Sequence, residues 1–144
     1  MGLAEELDDA IAQQLWDLVR KRAARLFSLW DEDPNPRFGA SRAARALGMS
    51  ESALSDLLTG LQLPPYGLLH EWYLVVRMRE DAETTSLSRL SWRHGREPAT
   101  NYRFIKRATR MTWSRLRLDP LWRVRLRAIE AWAPYIGAHS IDAS

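Results

Sequence analysis

Leu3, Leu7, Ile11, Leu15, Leu18, Val19, Leu26 and Trp30 recur at three- and four-residue steps, the period of an apolar stripe on an amphipathic helix. Residues 3–30 are therefore expected to form one helix, or two in line. The run Asp31-Glu-Asp-Pro-Asn-Pro ends it, because Pro34 and Pro36 cannot continue a helix and restrict the residues before them. Ser41 then offers an N-cap for a short helix to Leu47, with Gly48 as a left-handed stop. Ser50 caps a second helix carrying Leu54, Leu57, Leu58 and Leu61 on one side. Pro64-Pro65 opens a longer helix from Tyr66 to about Ala82. Thr84, Thr85 and Ser86 offer a further cap for Leu87–His94, which Gly95 closes. Pro98 suits the first turn of a helix to about Met111. Asp119, as N-cap, and Pro120 start a last helix that Pro134 and Gly137 end. Trp122, Val124 and Leu126 alternate with arginines, but three pairs flanked by helical spacing do not make a strand. The predicted fold is all-α.

Two stretches repeat. Residues 41–61 (SRAARALGMSESALSDLLTGL) and 88–108 (SRLSWRHGREPATNYRFIKRA) each read as a short helix, a glycine turn and a second helix, with the turn glycines 47 residues apart. A helix-turn-helix needs a small residue where its helices cross, a glycine at the turn, and an apolar residue to close the core. Ala44, Gly48 and Leu54 meet this in the first copy. Ser91 and Gly95 meet it in the second, but Asn101 stands at the third place and the aromatic Tyr102 comes one residue late.

The pattern resembles the DNA-binding domain of AraC/XylS-type transcription regulators, two helix-turn-helix units joined by a long helix. IKRATRMTWSRLR (Ile105–Arg117) is similar to that family's closing signature, with Trp113 in place of a Pro. AARALGMSESALSDLL is similar to its first unit, and Tyr66–Ala82 falls where its linker helix would. The likeness covers about residues 38–118. It implies an organisation into an N-terminal amphipathic helix (1–33), a first unit with linker helix (38–83), a second unit (84–118) and a C-terminal helix and tail (119–144). It further implies sequence-specific regulation of transcription, stand-alone or truncated, without the family's usual effector-binding domain.

Charge sharpens this expectation. Residues 1–83 carry 9 Lys and Arg against 14 Asp and Glu, whereas residues 84–144 carry 12 against 4. The basic half points to a polyanion, with double-stranded DNA the first candidate. On a helix at about 100° per residue, Arg96, Arg103, Lys106, Arg107 and Arg110 fall within about a 100° sector, opposite Phe104, Ile105 and Ala108. Such a face suits the major groove, where Arg reads guanine edges and outlying cations hold phosphates. Arg103 is the expected base contact, Arg96 and Thr100 lesser ones, and Lys106, Arg107 and Arg110 backbone contacts. In the first unit, Ser52 and Ser55 face outward beside Glu51, Asp56 and Thr59. Acids there repel phosphate, and Gly60 weakens the helix by about 1 kcal/mol, so this unit is expected to position weakly through Arg42 and Arg45, or to serve a protein.

Composition sets the outer bounds. A chain of 144 residues and 16.6 kDa with 46% apolar and 27% charged residues is expected to form a single soluble domain. It has no run of about 20 apolar residues to span a membrane. The acidic opening MGLAEELDD is unlike a signal peptide, and Glu6 stands where myristoylation needs Ser or Thr, so a cytoplasmic location is expected. Cys is absent, which removes disulfides and thiolate metal sites. His70, His94 and His139 share no ligand spacing, and Glu71, Glu80 and Asp81 carry no catalytic pattern. No metal, cofactor or enzymatic activity is expected. Most of the seven Trp belong in a core, although Trp113, Trp122 and Trp132 near arginines leave single-strand stacking as a remote reading. The first turns of residues 3–30 exceed what one unit can cover, which points to a homodimer through that segment, the alternative being a helix that bends back onto its own domain or frays. The alternative to a DNA-binding regulator is a helical interaction or dimerisation module that keeps the architecture without DNA.

Overall fold

The computed structural model describes residues 3–93 and 97–136, with side chains for 8–92 and 97–136. These residues are all-α: α1 (Leu3–Arg22), α2 (Ala24–Glu32), α3 (Ala40–Ala46), α4 (Glu51–Gly60), α5 (Tyr66–Asp81), α6 (Leu87–Arg93), α7 (Pro98–Thr109), α8 (Trp113–Leu116) and α9 (Leu121–Ile136). No described helix is long and apolar enough to cross a membrane.

The N-terminal segment divides at Ala23 (φ −103°, ψ 25°) into two helices bent toward each other, with the Trp16 and Phe27 rings 5.7 Å apart. Its inner face differs from the stripe read in the sequence. Ala12, Trp16 and Val19 are buried, and Trp16 stacks on Trp132 of α9 at 5.5 Å between ring centres. α9 is thus the cover for α1, supplied by the same chain. Ile11 remains 48% exposed.

α5 is the axle of the molecule, packed on α9, α7 and α6. Leu69, His70, Tyr73, Leu74, Val75, Val76 and Met78 are buried on it, too many for one face, because neighbours stand on several sides. An aromatic group locks α2 to α5. The Trp30 Nε1–H donates to the Tyr66 hydroxyl at 3.0 Å, and that hydroxyl donates to the Phe38 carbonyl at 2.5 Å. Burial pushes the Tyr66 hydroxyl up to about 12. His70 packs against Trp30 at 4.8 Å and Tyr66 at 5.4 Å, and burial pushes its imidazole down to about 4. Tyr73 donates to the Asp31 carboxylate, which also accepts from Arg77 at 3.0 Å.

Helix ends follow local chemistry, with instructive departures. Ser50 caps α4 by accepting the Ala53 N–H at 3.1 Å. Gly48 (φ +72°) closes α3, with Met49 N–H on the Ala44 carbonyl at 2.9 Å and Gly48 N–H on Arg45 at 3.1 Å, the paired bonds of a left-handed stop. Ser41 does not cap α3; the chain enters the helix two residues earlier, from Gly39. α9 runs through Pro134 to Ile136, because burial of Trp132 and Ile136 outweighs the one backbone bond the ring removes. Asp119 is buried beside α9 and meets arginine side chains of that helix. Its carboxylate accepts from Arg127 Nε at 3.2 Å, its carbonyl from Arg79 Nε at 3.1 Å. Gly137 lies outside the described residues.

Candidate nucleic-acid interface

Two helix pairs pack against each other at matching places in the chain. In the first, α3 packs on α4 with Ala44 and Leu54 both 1% exposed. In the second, α6 packs on α7 with Ser91 and Asn101 both 0% exposed. The register offset of 47 residues therefore holds for both pairs of buried residues. Asn101 is not slipped: it occupies the core place itself, donating to Ser91 Oγ at 2.5 Å, while Ser91 donates to the Leu87 carbonyl at 2.7 Å. Tyr102 points outward, its hydroxyl 3.0 Å from that of Ser88. The turn at Gly95 and the candidate Arg96 lie outside the described residues.

Ser86 starts α6 by accepting the Arg89 N–H at 3.1 Å, and Pro98 opens α7. The buried line Asn101, Phe104 and Ile105 fixes the rotation of α7. Arg103, Lys106 and Arg107 are therefore left in solvent, and Thr100 is half-exposed in the first turn. Arg107 leans on the Phe104 ring, 6.0 Å from its centre, and faces Glu71. Burial raises the Glu71 carboxyl and the Arg107 charge offsets part of that rise.

α7 stops at Thr109, two residues before the expected end. Arg110 adopts a left-handed conformation (φ +61°), its N–H on the Lys106 carbonyl at 2.8 Å. Arg110 is exposed, but it projects from the turn and not from the helical row assumed in the sequence reading. Thr109 Oγ1 then accepts the Met111 N–H at 3.0 Å. Thr112 caps α8, a turn of helix that the sequence reading lacked, through the Arg115 N–H at 3.3 Å. The result is a hollow of about 400 Å³ between α7 and α8, lined by Tyr102, Arg103, Lys106, Thr112, Trp113 and Ser114. Tyr102 and Trp113 were placed in neither role by the recognition-helix argument. The signal was present in the spacing of Tyr102 and Arg103 along α7, but the turn that brings Trp113 beside them was not.

Charge pairing separates the basic residues into two groups. On α9, Arg125 meets Glu80 at 3.2 Å and Gln13 at 2.6 Å, and Arg127 and Arg123 meet Asp119 at 3.2 and 3.9 Å. Arg103, Lys106, Arg110, Arg115 and Arg117 are exposed and meet no carboxylate among the described residues. The unpaired exposed cations of the described second half thus lie on α7, α8 and the turns beside them, with Arg89 on α6 a further one.

In the first unit Ser52, Ser55, Asp56 and Thr59 are exposed as their spacing implied, with Thr59 Oγ1 donating to the Ser55 carbonyl at 3.1 Å. Arg42 is engaged elsewhere, paired with Asp33 at 2.8 Å and lying over Phe38 at 4.4 Å. Arg45 is exposed. The outer side of α4 is polar and acidic where cations would be needed, and Leu57 and Leu61, at 39% and 36% exposure, edge its inner face. Among the described residues no three His, Asp or Glu gather as a metal site.

Compared with known proteins, the chain matches no family model, no curated protein and no solved structure. The AraC/XylS likeness therefore stands on the sequence motifs alone.

Proposed function

We infer that the chain is a double-stranded DNA-binding regulator that engages the duplex through α7 and α8. The observation that carries this reading is the set of unpaired, exposed cations Arg103 and Lys106 on α7, whose inner face is fixed by Phe104 and Ile105, and Arg110, Arg115 and Arg117 on α8 and the turns beside it. The N-terminal part of a second helix in such a pair reaches base edges, and flanking cations hold phosphates. In this reading Arg103, at the middle of the exposed face, makes the base contact and Lys106, Arg107 and Arg110 hold phosphates. Thr100 is a lesser contact, and Arg96 belongs to the same group by sequence. Binding of the purified chain to mixed duplex DNA across a salt series tests it: affinity should fall steeply as salt rises. Salt-independent or absent binding rejects the reading.

A second reading is favoured for α4. Glu51 and Asp56 beside exposed Leu57 and Leu61 suit a protein surface better than a phosphate backbone, so Ser52 and Ser55 are weak DNA contacts under this account. A homodimer completes the proposal, because a single reading helix gains affinity when two half-sites are held at once. A cytoplasmic location is part of the same reading, which requires no cofactor.

A further inference from the structure

Tyr102, Arg103 and Lys106 are exposed on α7. They form one patch, because residues three and four apart are neighbours on a helix. The turn at Arg110 brings Trp113 of α8 to this patch, and Thr112 and Ser114 complete the hollow of about 400 Å³ between the two helices. A second hollow, of about 630 Å³, shares Tyr102, Trp113 and Ser114 with the first and extends to Ser86, Arg117 and Leu118. Both rings thus stand where the two hollows adjoin. Arg103 and Lys106 line only the first, and Arg117 only the second.

The two rings differ from the core aromatics. Trp16, Trp30 and Trp132 are buried against other rings. Tyr102 is 37% exposed and Trp113 partly so, and neither meets another aromatic ring among the described residues. Arg103, Lys106 and Arg117 meet no carboxylate there either. Glu83, the carboxylate in the wall of the larger hollow, is held by Arg79 at 2.7 Å. The trough therefore offers unmatched positive charge on both sides of two accessible rings.

Cations alone would suit the phosphates of any nucleic acid. The rings narrow the choice. In a duplex the bases stack on one another, so rings beside the backbone find no base face to meet. An unpaired base exposes its π-face, and aromatic side chains interleaved with cations are the means by which single strands are held. The adjoining second hollow, with its own cation, suits linked nucleotides better than a free one.

We propose that this trough binds an unpaired stretch of a nucleic acid strand, with bases stacked on Tyr102 and Trp113 and phosphates held by Arg103, Lys106 and Arg117. The inference rests on the cationic face of the reading above and extends it from paired to unpaired strands.

Fluorescence anisotropy of a labelled oligothymidylate of about ten nucleotides tests it, beside a fully paired mixed-sequence duplex. Circular dichroism verifies folding of each variant. The full chain should bind the oligothymidylate, less tightly as salt rises. Tyr102→Ala changes an exposed position and should weaken that binding about tenfold, with duplex binding unchanged. Tyr102→Phe keeps the ring, loses only the Ser88 contact, and should bind as the parent does. Trp113→Ala should show the same selective loss and Trp113→Phe should recover most of it; if Trp113→Ala does not fold, the Tyr102 pair decides. Thymidine monophosphate should compete only weakly, because one nucleotide cannot engage both rings and the cations on either side. Competition as strong as by the oligomer would assign the trough to a free nucleotide and overturn the proposal. So would an oligothymidylate that is not bound, or one bound equally by the parent and both alanine variants. Duplex binding without single-strand binding removes this inference and leaves the DNA reading standing, whereas single-strand binding alone does the reverse.

Discussion

Asn101 meets Ser91 between α6 and α7, at the places in sequence that Leu54 and Ala44, both buried, hold in α4 and α3. One pair is apolar and the other is joined by a buried hydrogen bond. The polar pair is incompletely satisfied, since Asn101 Oδ1 has no partner. A buried carbonyl left without a donor costs about 1–3 kcal/mol.

Substitution at this pair should therefore be non-additive. Ser91→Ala alone strands the Asn101 amide and should destabilise the chain by about 1–3 kcal/mol. Ser91→Ala with Asn101→Leu gives this pair the residue types of Ala44 and Leu54 and should be neutral or stabilising relative to the parent. Urea denaturation of the two single variants and the double variant measures the coupling. Equal losses that simply add would mean the pair is not a unit.

His70 makes stability depend on pH. Its folded-state value, about 4, lies below the ordinary 6.5, chiefly because burial disfavours the charged ring. The unfolded chain thus takes up a proton first as pH falls. The contribution is complete above about pH 6.5 and is lost as pH drops toward 4, reaching up to about 3 kcal/mol. His70→Phe should flatten this slope among Trp30, Tyr66 and Phe38. Denaturation near pH 5 and near pH 7 gives the comparison, and an unchanged slope in the variant would assign the acid sensitivity to other groups.

Gly48 should resist replacement. Its φ of +72° is in the left-handed region, while a Cβ there would meet nothing within 4 Å. The cost of Gly48→Ala is therefore backbone strain alone, about 1–2 kcal/mol. A similar loss of midpoint stability without any change in the fold is the expected result. Full tolerance would imply that the α3–α4 turn adopts another conformation.

Much of the architecture was legible because it is locally written. Ser50, Ser86, Pro65 and Pro98 mark helix starts through their own hydrogen bonding or fixed φ, and all four do so here. The inner face of α7 followed from the spacing of Phe104 and Ile105. What was not legible depends on long-range packing. α9 lies on α1 although Trp16 and Trp132 are far apart in sequence, so the wrong side of α1 was read as its principal face. Pro134 remains helical because tertiary burial holds the turn around it. Gln62 closes α4 in a left-handed conformation (φ +57°), a place where sequence alone favours Gly or Asn. The outward cations of α7 were foreseeable from period, but the pairing of Arg123, Arg125 and Arg127 with Asp119 and Glu80 was not. That pairing leaves unmatched cations on α7, α8 and the turns beside them.

The division of the basic residues yields the sharpest prediction about DNA. Arg103 and Arg125 carry the same charge a short distance apart in sequence, yet Arg103 meets no carboxylate among the described residues while Arg125 bridges Glu80 and Gln13. Arg103→Ala should cost about 1–3 kcal/mol of duplex affinity and relax preference at one base pair. Arg110→Ala should weaken all sequences alike and flatten the dependence of log affinity on log salt by about one unit. Arg125→Ala should act on folding stability instead, by removing a contact that ties α9 to α5 and α1, with the salt slope unchanged. Asp56→Arg on α4 completes the comparison. If α4 approaches the duplex, the new cation tightens non-specific binding and steepens the salt dependence. If α4 faces protein, neither quantity moves. Anisotropy titrations of the four variants at several salt concentrations resolve these outcomes. Equal behaviour of Arg103→Ala and Arg125→Ala would refute α7 as the reading helix.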